Sequence, residues 1–338
     1  MDRQEGDGGF LALGPSILEI HSAHEHPRSL LRSCGLEPST WQRVRSRKGF
    51  DDLLIAAGLE PEAVLAGAVA TPEADTSHQL VPGSSTLAML LAMPAPTREG
   101  STFGTWLDES PLASTLWAAL NALPCRISSW TTGVGPSACL ILTSQSESDR
   151  FMVTFTPDDA PDVPTDFETQ GHRIVVDSYE LSSSAFAESI VRRCQSTGAS
   201  VYISLGGAES LGGIVTPAIE TLLDHGAVAA VAGTGDQFAA VRARMRSTVS
   251  LDHVPTLLTF GAAGMLGKDS EGVVWLDAPN IPVGRISPSG AGDTAAGVFF
   301  AGIAQAADLR RCLELAREMV RLVLLRQESW VINEVATF

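Results

Sequence analysis

Arg173-Ile174-Val175-Val176-Asp177, Ser200-Val201-Tyr202-Ile203-Ser204-Leu205, Ala227-Val228-Ala229-Ala230-Val231-Ala232 and Pro255-Thr256-Leu257-Leu258-Thr259 are four short apolar runs in one stretch of the chain, and their reading decides the fold. Each has strand length and is rich in β-branched or small apolar residues. The segments Ser183–Thr197, Pro217–Leu223 and Phe238–Arg246 between them, and Asp308–Arg326 later, read as helices. Strands that alternate with helices predict a parallel sheet covered on both faces, with ligands beyond the carboxyl ends of the strands.

Downstream, Ile286-Ser287-Pro288-Ser289-Gly290-Ala291-Gly292-Asp293-Thr294-Ala295-Ala296-Gly297-Val298-Phe299-Phe300 joins a glycine turn to a small, apolar run that reads as a buried helix. A helix that starts this way presents free N–H groups and the positive end of its dipole, which together hold an anion. Asp293 is placed to take a proton from a hydroxyl while the N–H groups of Ala291, Gly292 and Asp293 hold a developing phosphate charge, which is phosphoryl transfer to an alcohol. The same residues also read as an ordinary helix with an Asp N-cap, which needs no chemistry. The local pattern leaves both readings open.

Gly290-Ala291-Gly292-Asp293 with its apolar helix resembles the second signature of the ribokinase/PfkB family of sugar and nucleoside kinases. The order of segments from Phe10 to about Arg326 is most similar to the adenosine-kinase-like branch. The resemblance implies a single α/β domain over residues 1–338, a ribokinase-like three-layer α/β/α sandwich with a mostly parallel central sheet and a small β lid. It places the lid in about 21–81 and 124–156 and the nucleotide-binding half in about 200–330. It implies Gly290, Ala291 and Gly292 as the anion hole, Asp293 as catalytic base, ATP as donor and Mg²⁺ as cofactor.

Weaker matches extend the comparison. Phe10–Ile20 reads as one opening strand broken at Gly14-Pro15, and the resemblance puts Glu19 where an aspartate holds sugar hydroxyls; a solvent-facing strand end is the plain alternative. Val81–Ala92 is a glycine turn entering an apolar helix, similar to a signature in which glycines hinge the lid and an asparagine binds the acceptor. Gly83 and Ser84 would contact substrate there, Pro82 replaces the other glycine, and Leu87 stands about where the asparagine would be. Cys125–Trp130, Gly135–Leu142 and Arg150–Phe155 resemble the lid hairpin, with Arg150 leaning toward the transferred phosphate or, equally, lying as a charged strand edge. Gly233-Thr234-Gly235-Asp236-Gln237 falls where the family has Asn-x-x-Glu, so Asp236 and Gln237 are the candidates to order water around Mg²⁺, unless this is a simple strand-to-helix loop. Thr259, Gly261 and Gly264 match a Thr-x-Gly-x-x-Gly turn that implies contact with the nucleotide. Ser287-Pro288-Ser289 replaces the segment tied to a monovalent cation, so activation by K⁺ is not expected.

Composition bounds the partners. The 338 residues are 44% hydrophobic and 18% charged, with a formal charge of -16, which argues against nucleic acid or an anionic membrane. No apolar run approaches the about 18 residues of a membrane span, and the acidic N-terminus lacks a signal-peptide pattern, so the expected location is cytoplasmic. Cys34, Cys125, Cys139, Cys194 and Cys312 show no Cys-x-x-Cys spacing and predict free thiols. His21, His24 and His26 do not share a helix face and read as solvated surface.

The expected function is an ATP-dependent kinase acting on a hydroxymethyl group of a nucleoside, sugar or related polyol, as monomer or homodimer. The departures at Glu19, Pro82, Leu87, Thr234, Gln237 and Ser287–Ser289 support an alternative, a catalytically degenerate relative with a ligand-binding or regulatory role. They fall in the acceptor and metal positions and predict an acceptor other than a ribonucleoside. A dinucleotide-binding oxidoreductase would need a Gly-x-Gly-x-x-Gly after the first strand, which is missing.

Overall fold

The chain changes sheets at Gly14-Pro15-Ser16, and this early switch divides the molecule into two layers of strands. A computed structural model describes residues 9–37, 41–65, 78–132, 135–143, 150–156, 160–165, 167, 173–246, 251–281 and 290–326. Strand β1 (Leu11–Leu13) lies inside a large sheet and β2 (Ile17–Ala23) inside a small one. Pro15 lacks the N–H that would carry β1 onward, and Ser16 is pinned by its hydroxyl to that of Thr105 at 2.9 Å. The single opening strand expected over Phe10–Ile20 is therefore two strands. The sequence hides the change because the apolar residues on both sides of the turn are buried alike.

The small sheet has the order β3-β8-β7-β2-β4, with β3 (Trp41–Val44), β4 (His78–Gly83), β7 (Ser137–Thr143) and β8 (Arg150–Phe155). Helices α1 (Pro27–Ser33), α2 (Arg47–Ala56) and α3 (Pro61–Leu65) cover its outer face. Its boundaries differ from the expected lid: it begins at Ile17, and β6 (Arg126–Thr131) is excluded. β6 instead pairs parallel with β5 (Thr102–Leu107) at the edge of the large sheet, because it follows a helix, α6 (Pro111–Leu120), as a parallel crossover requires. The Ser287–Ser289 segment lies outside the described residues.

The large sheet is nine-stranded and continues from β6, β5 and β1 through β9 (Arg173–Asp177), β10 (Ser200–Ser204), β11 (Val228–Thr234) and β12 (Thr256–Thr259), all parallel. The hairpin β13 (Gly264–Lys268) and β14 (Val273–Asp277) closes the far edge antiparallel. Alternation sends Ile174, Val176, Val201 and Ile203 to one face and Val175 and Tyr202 to the other, and both faces are dry. One face is covered by α4 (Ser85–Ala92), α11 (Ala291–Ala304) and α12 (Leu309–Arg326). The other is covered by α7 (Ser178–Leu181), α8 (Ser184–Thr197), α9 (Ala208–Asp224) and α10 (Gly235–Arg242). The fold is thus the expected three-layer α/β/α sandwich with a small second sheet.

Helix α9 starts nine residues before the Pro217 at which the sequence reading opened it. A proline favours a helix start but does not require one, and here it stands in mid-helix with Gly213 one turn earlier. No described helix is long and apolar enough to cross a membrane.

Candidate active site

A cavity of about 240 Å³ lies between the inner face of the small sheet and the carboxyl ends of the large one. The period of two along the small strands builds its roof. Ile17 and Glu19 of β2, Ser137 and Cys139 of β7, and Met152 and Thr154 of β8 face the cavity. Their neighbours Leu18, Ile20, Ala138, Leu140, Phe151 and Val153 face the helices outside. The floor comes from Trp106 at the end of β5, Tyr179 and Glu180 of α7, Ser84 and Ser85 at the start of α4, and Gly290 and Asp293 at the start of α11.

Gly290 is the N-cap of α11 in the left-handed region, φ 74°, with no side-chain cap. A residue with a Cβ is strained there. The first bond of the helix is Thr294 N–H to the Gly290 carbonyl, 2.8 Å. The N–H groups of the turn before it, at Ala291 and Gly292, project out of the helix end. Asp293 stands in that turn and Phe299 and Phe300 anchor the helix in the core with no exposed surface.

Of the expected substrate contacts, Glu19 and Ser84 line the cavity. Glu19 is 9% exposed, not solvent-facing, and its Oε2 accepts from His21 Nε2 at 3.1 Å. Gly83 does not line the cavity; a Cβ there would overlap the Glu19 carboxyl, so the glycine makes room for it. Ser84 caps α4, its Oγ accepting from Leu87 N–H at 3.1 Å. Leu87 itself is fully buried in the main core and does not line the cavity. Arg150 opens β8, and its side chain lies outside the described residues. Arg43, from the neighbouring edge strand β3, brings a guanidinium to the cavity that the sequence reading did not single out.

Thr259, Gly261 and Gly264 lie apart from this cavity, at the carboxyl end of β12 and the turn into β13. Thr259 registers with Thr234 at the end of β11, so both turns share one edge of the sheet. Gln237 is a correction. Its Oε1 accepts from Thr234 N–H at 2.8 Å while its own N–H bonds Thr234 Oγ1 at 3.2 Å, a capping box that occupies the residue. The Thr-x-x-Gln spacing carries that signal. Asp236 is exposed beside it, and among the described residues no group of three or more His, Cys, Asp or Glu is arranged to hold a metal ion. Gln237 is therefore occupied by the cap, and Asp236 is the remaining carboxylate at this turn.

The sequence reading missed the acid pair Asp177 and Glu180. Asp177 ends β9 and caps α7 through its Oδ1, which accepts from Tyr179 N–H at 2.9 Å. Burial pushes its carboxyl up to about 7, against smaller opposing effects of the N–H groups of Tyr179 and Ser178 and the Ser204 hydroxyl. Burial, and then the charge of Asp177, pushes Glu180 well above the usual carboxylate range. The available signal was position, at the carboxyl end of a parallel strand beside the centre of the sheet.

No family model matches the sequence, and no curated protein is similar to it in sequence. Solved structures are similar in fold. Anopheles gambiae adenosine kinase in complex with P1,P4-di(adenosine-5) tetraphosphate superposes with a TM-score of 0.71 at 14% identity, covering 98% of this chain and 99% of that one. The fold is that of the adenosine and sugar kinases. Schistosoma mansoni adenosine kinase with 2-fluoroadenosine gives 0.70 at 14% identity, with 98% and 99% covered. A probable sugar kinase protein from Rhizobium etli CFN 42 also gives 0.70 at 14% identity, with 95% and 94% covered.

Proposed function

We propose that this protein is an ATP-dependent small-molecule kinase that transfers the γ-phosphate to a hydroxymethyl group of a compact sugar, nucleoside or polyol. The observation that carries the reading is the convergence of Asp293 and the Gly290 turn on one cavity that is also lined by Glu19 and Ser84. Asp293 takes the proton of the acceptor hydroxyl as it attacks. The N–H groups of the Gly290–Gly292 turn hold the charge of the transferred phosphoryl group, aided by the dipole of the 14-residue helix α11. Arg43 lines the same cavity and adds positive charge.

The volume, about 240 Å³, is below the ~300–1,000 Å³ typical of small-molecule sites and favours a compact acceptor. The nucleotide would lie along the edge formed by Thr234, Thr259, Gly261 and Gly264, as the fold's relatives that bind adenosine compounds make reasonable. A second reading, a ligand-binding protein without catalysis, is favoured by two observations: the capping of Gln237 and the burial of Leu87. ADP release with Mg·ATP against a panel of nucleosides, pentoses, hexoses and cyclitols separates them. Acceptor-dependent turnover supports the kinase; absence of turnover and of Mg·ATP binding by calorimetry supports the second reading.

A further inference from the structure

The two carboxylate oxygens of Glu19 stand in different situations. Oε2 accepts from His21 Nε2 at 3.1 Å, and the two side chains share a face of β2 because they are two residues apart. His21 was expected on the solvated surface, yet its side chain is only 25% exposed. Oε1 rests against Gly83 of β4, where a Cβ would overlap it. Among the described residues Oε1 has no hydrogen-bond partner, and it is not one of the buried atoms sealed from solvent. Glu19 itself lines the cavity. One oxygen is therefore held by the protein and the other is open to a ligand.

This division decides how many hydroxyl groups Glu19 can bind. A carboxylate with both oxygens free takes a neighbouring pair of hydroxyls, one on each oxygen. Removing either hydroxyl from such a ligand strands a buried oxygen, and a site of that kind rejects the analogue. Here Oε2 keeps its partner whatever the ligand brings. The residue in register with Glu19 on β7, Cys139, gives little help to a second hydroxyl, since its sulfur already accepts from Thr154 Oγ1 at 3.4 Å. We propose that His21 is a positioning residue that sets acceptor specificity, by making Glu19 bind a single hydroxyl rather than a neighbouring pair. The acceptor class that follows is sugars and polyols, deoxy members included, in which the hydroxyl beside the one on Glu19 is dispensable. The identity of the ligand as a phosphoryl acceptor rests on the proposed kinase reading; the division of the carboxylate does not.

Calorimetry of the full chain with ribose, glucose and adenosine, each beside its 2-deoxy and 3-deoxy analogues, tests this. In any series that the wild type binds, no more than one of the two analogues is expected to lose affinity by about tenfold, while the other stays within about threefold of the parent. Glu19→Leu removes the contact and is expected to weaken the parent by at least about tenfold. His21→Leu frees Oε2 for a second hydroxyl, so both analogues are expected to fall at least about tenfold below the parent. His21→Gln keeps an N–H donor and should restore the wild-type pattern. In the Glu19→Leu background His21→Leu should change nothing further, because His21 acts through Glu19. Rejection of both analogues by the wild type, an unaltered pattern in His21→Leu, or binding of no series overturns the proposal, and the wild-type and His21→Gln measurements stand even where His21→Leu fails to fold. ADP release recorded alongside keeps the two ideas separate. The expected pattern without ADP release sinks the kinase reading alone, whereas ADP release by a wild type that rejects both analogues sinks the role of His21 alone.

Discussion

Replacing Asp177 with asparagine isolates the cost of burying a carboxyl group at the back of the cavity. Asp177 is 1% exposed, and its carboxyl is raised from 3.8 to about 7, chiefly by burial. Between those two values the folded protein holds a proton that the unfolded chain has lost, so stability falls as pH rises. The interval of about three pH units, at 1.36 kcal/mol each, makes the loss about 4 kcal/mol, complete above about pH 7. Glu180 is raised in the same direction and adds to the slope. Asparagine retains an oxygen for the Tyr179 N–H and so preserves the α7 cap, but it does not titrate. Urea unfolding of the wild type and Asp177→Asn at pH 4, 6 and 8 reads the difference. The variant is expected to gain on the wild type by up to about 4 kcal/mol between pH 4 and pH 8. Parallel profiles for the two proteins would refute the assignment of the buried proton to this pair.

Other substitutions test separate parts of the account. Gln237→Ala removes half of the α10 capping box and should lower stability by about 1 kcal/mol in thermal unfolding, with no change in the Mg²⁺ requirement of turnover, since Gln237 is occupied by Thr234. Leu87→Ala opens space in the main core and should cost about 2–5 kcal/mol in denaturant unfolding; a change confined to acceptor KM would place Leu87 at the substrate instead. Gly83→Ala drives a methyl group into the Glu19 carboxyl and should lower kcat/KM for the acceptor, on the order of a hundredfold, while the KM for ATP holds.

The large sheet was legible because its strands are buried on both faces. Arg173–Asp177 and Ser200–Ser204 carry apolar residues toward both helix layers, so each run stands out in sequence whatever its neighbours are. The turn at Gly290–Asp293 was legible because a glycine turn, a carboxylate and a buried helix follow one another locally. The small sheet was harder to bound. Phe10 to Ile20 carries apolar residues on both sides of Gly14-Pro15-Ser16, and that turn alone marks the change of sheet. β6 looked like lid sequence until its parallel pairing with β5 was visible. Long-range register decides both cases, and register is not a local property. The cavity shows the same division. Glu19 and Asp293 were found from patterns along the chain, whereas Arg43 and Glu180 matter only because distant strands and helices bring them together. A glutamate three residues after a strand reads as an ordinary first-turn acid; its unpartnered oxygen shows only in three dimensions. Gln237 erred in the opposite direction, since a spacing that served a local cap was taken for a metal position.

The most direct test of the central claim is a single-turnover transfer of labelled γ-phosphate from ATP to the best acceptor of the panel, by wild type and by Asp293→Asn. Asparagine keeps the volume and the helix start but accepts no proton. The account predicts a covalently labelled acceptor with the wild type and a rate about 10²–10⁴-fold lower with Asp293→Asn, with nucleotide binding unchanged. Equal transfer rates in the two proteins would contradict the assignment of Asp293 as the base.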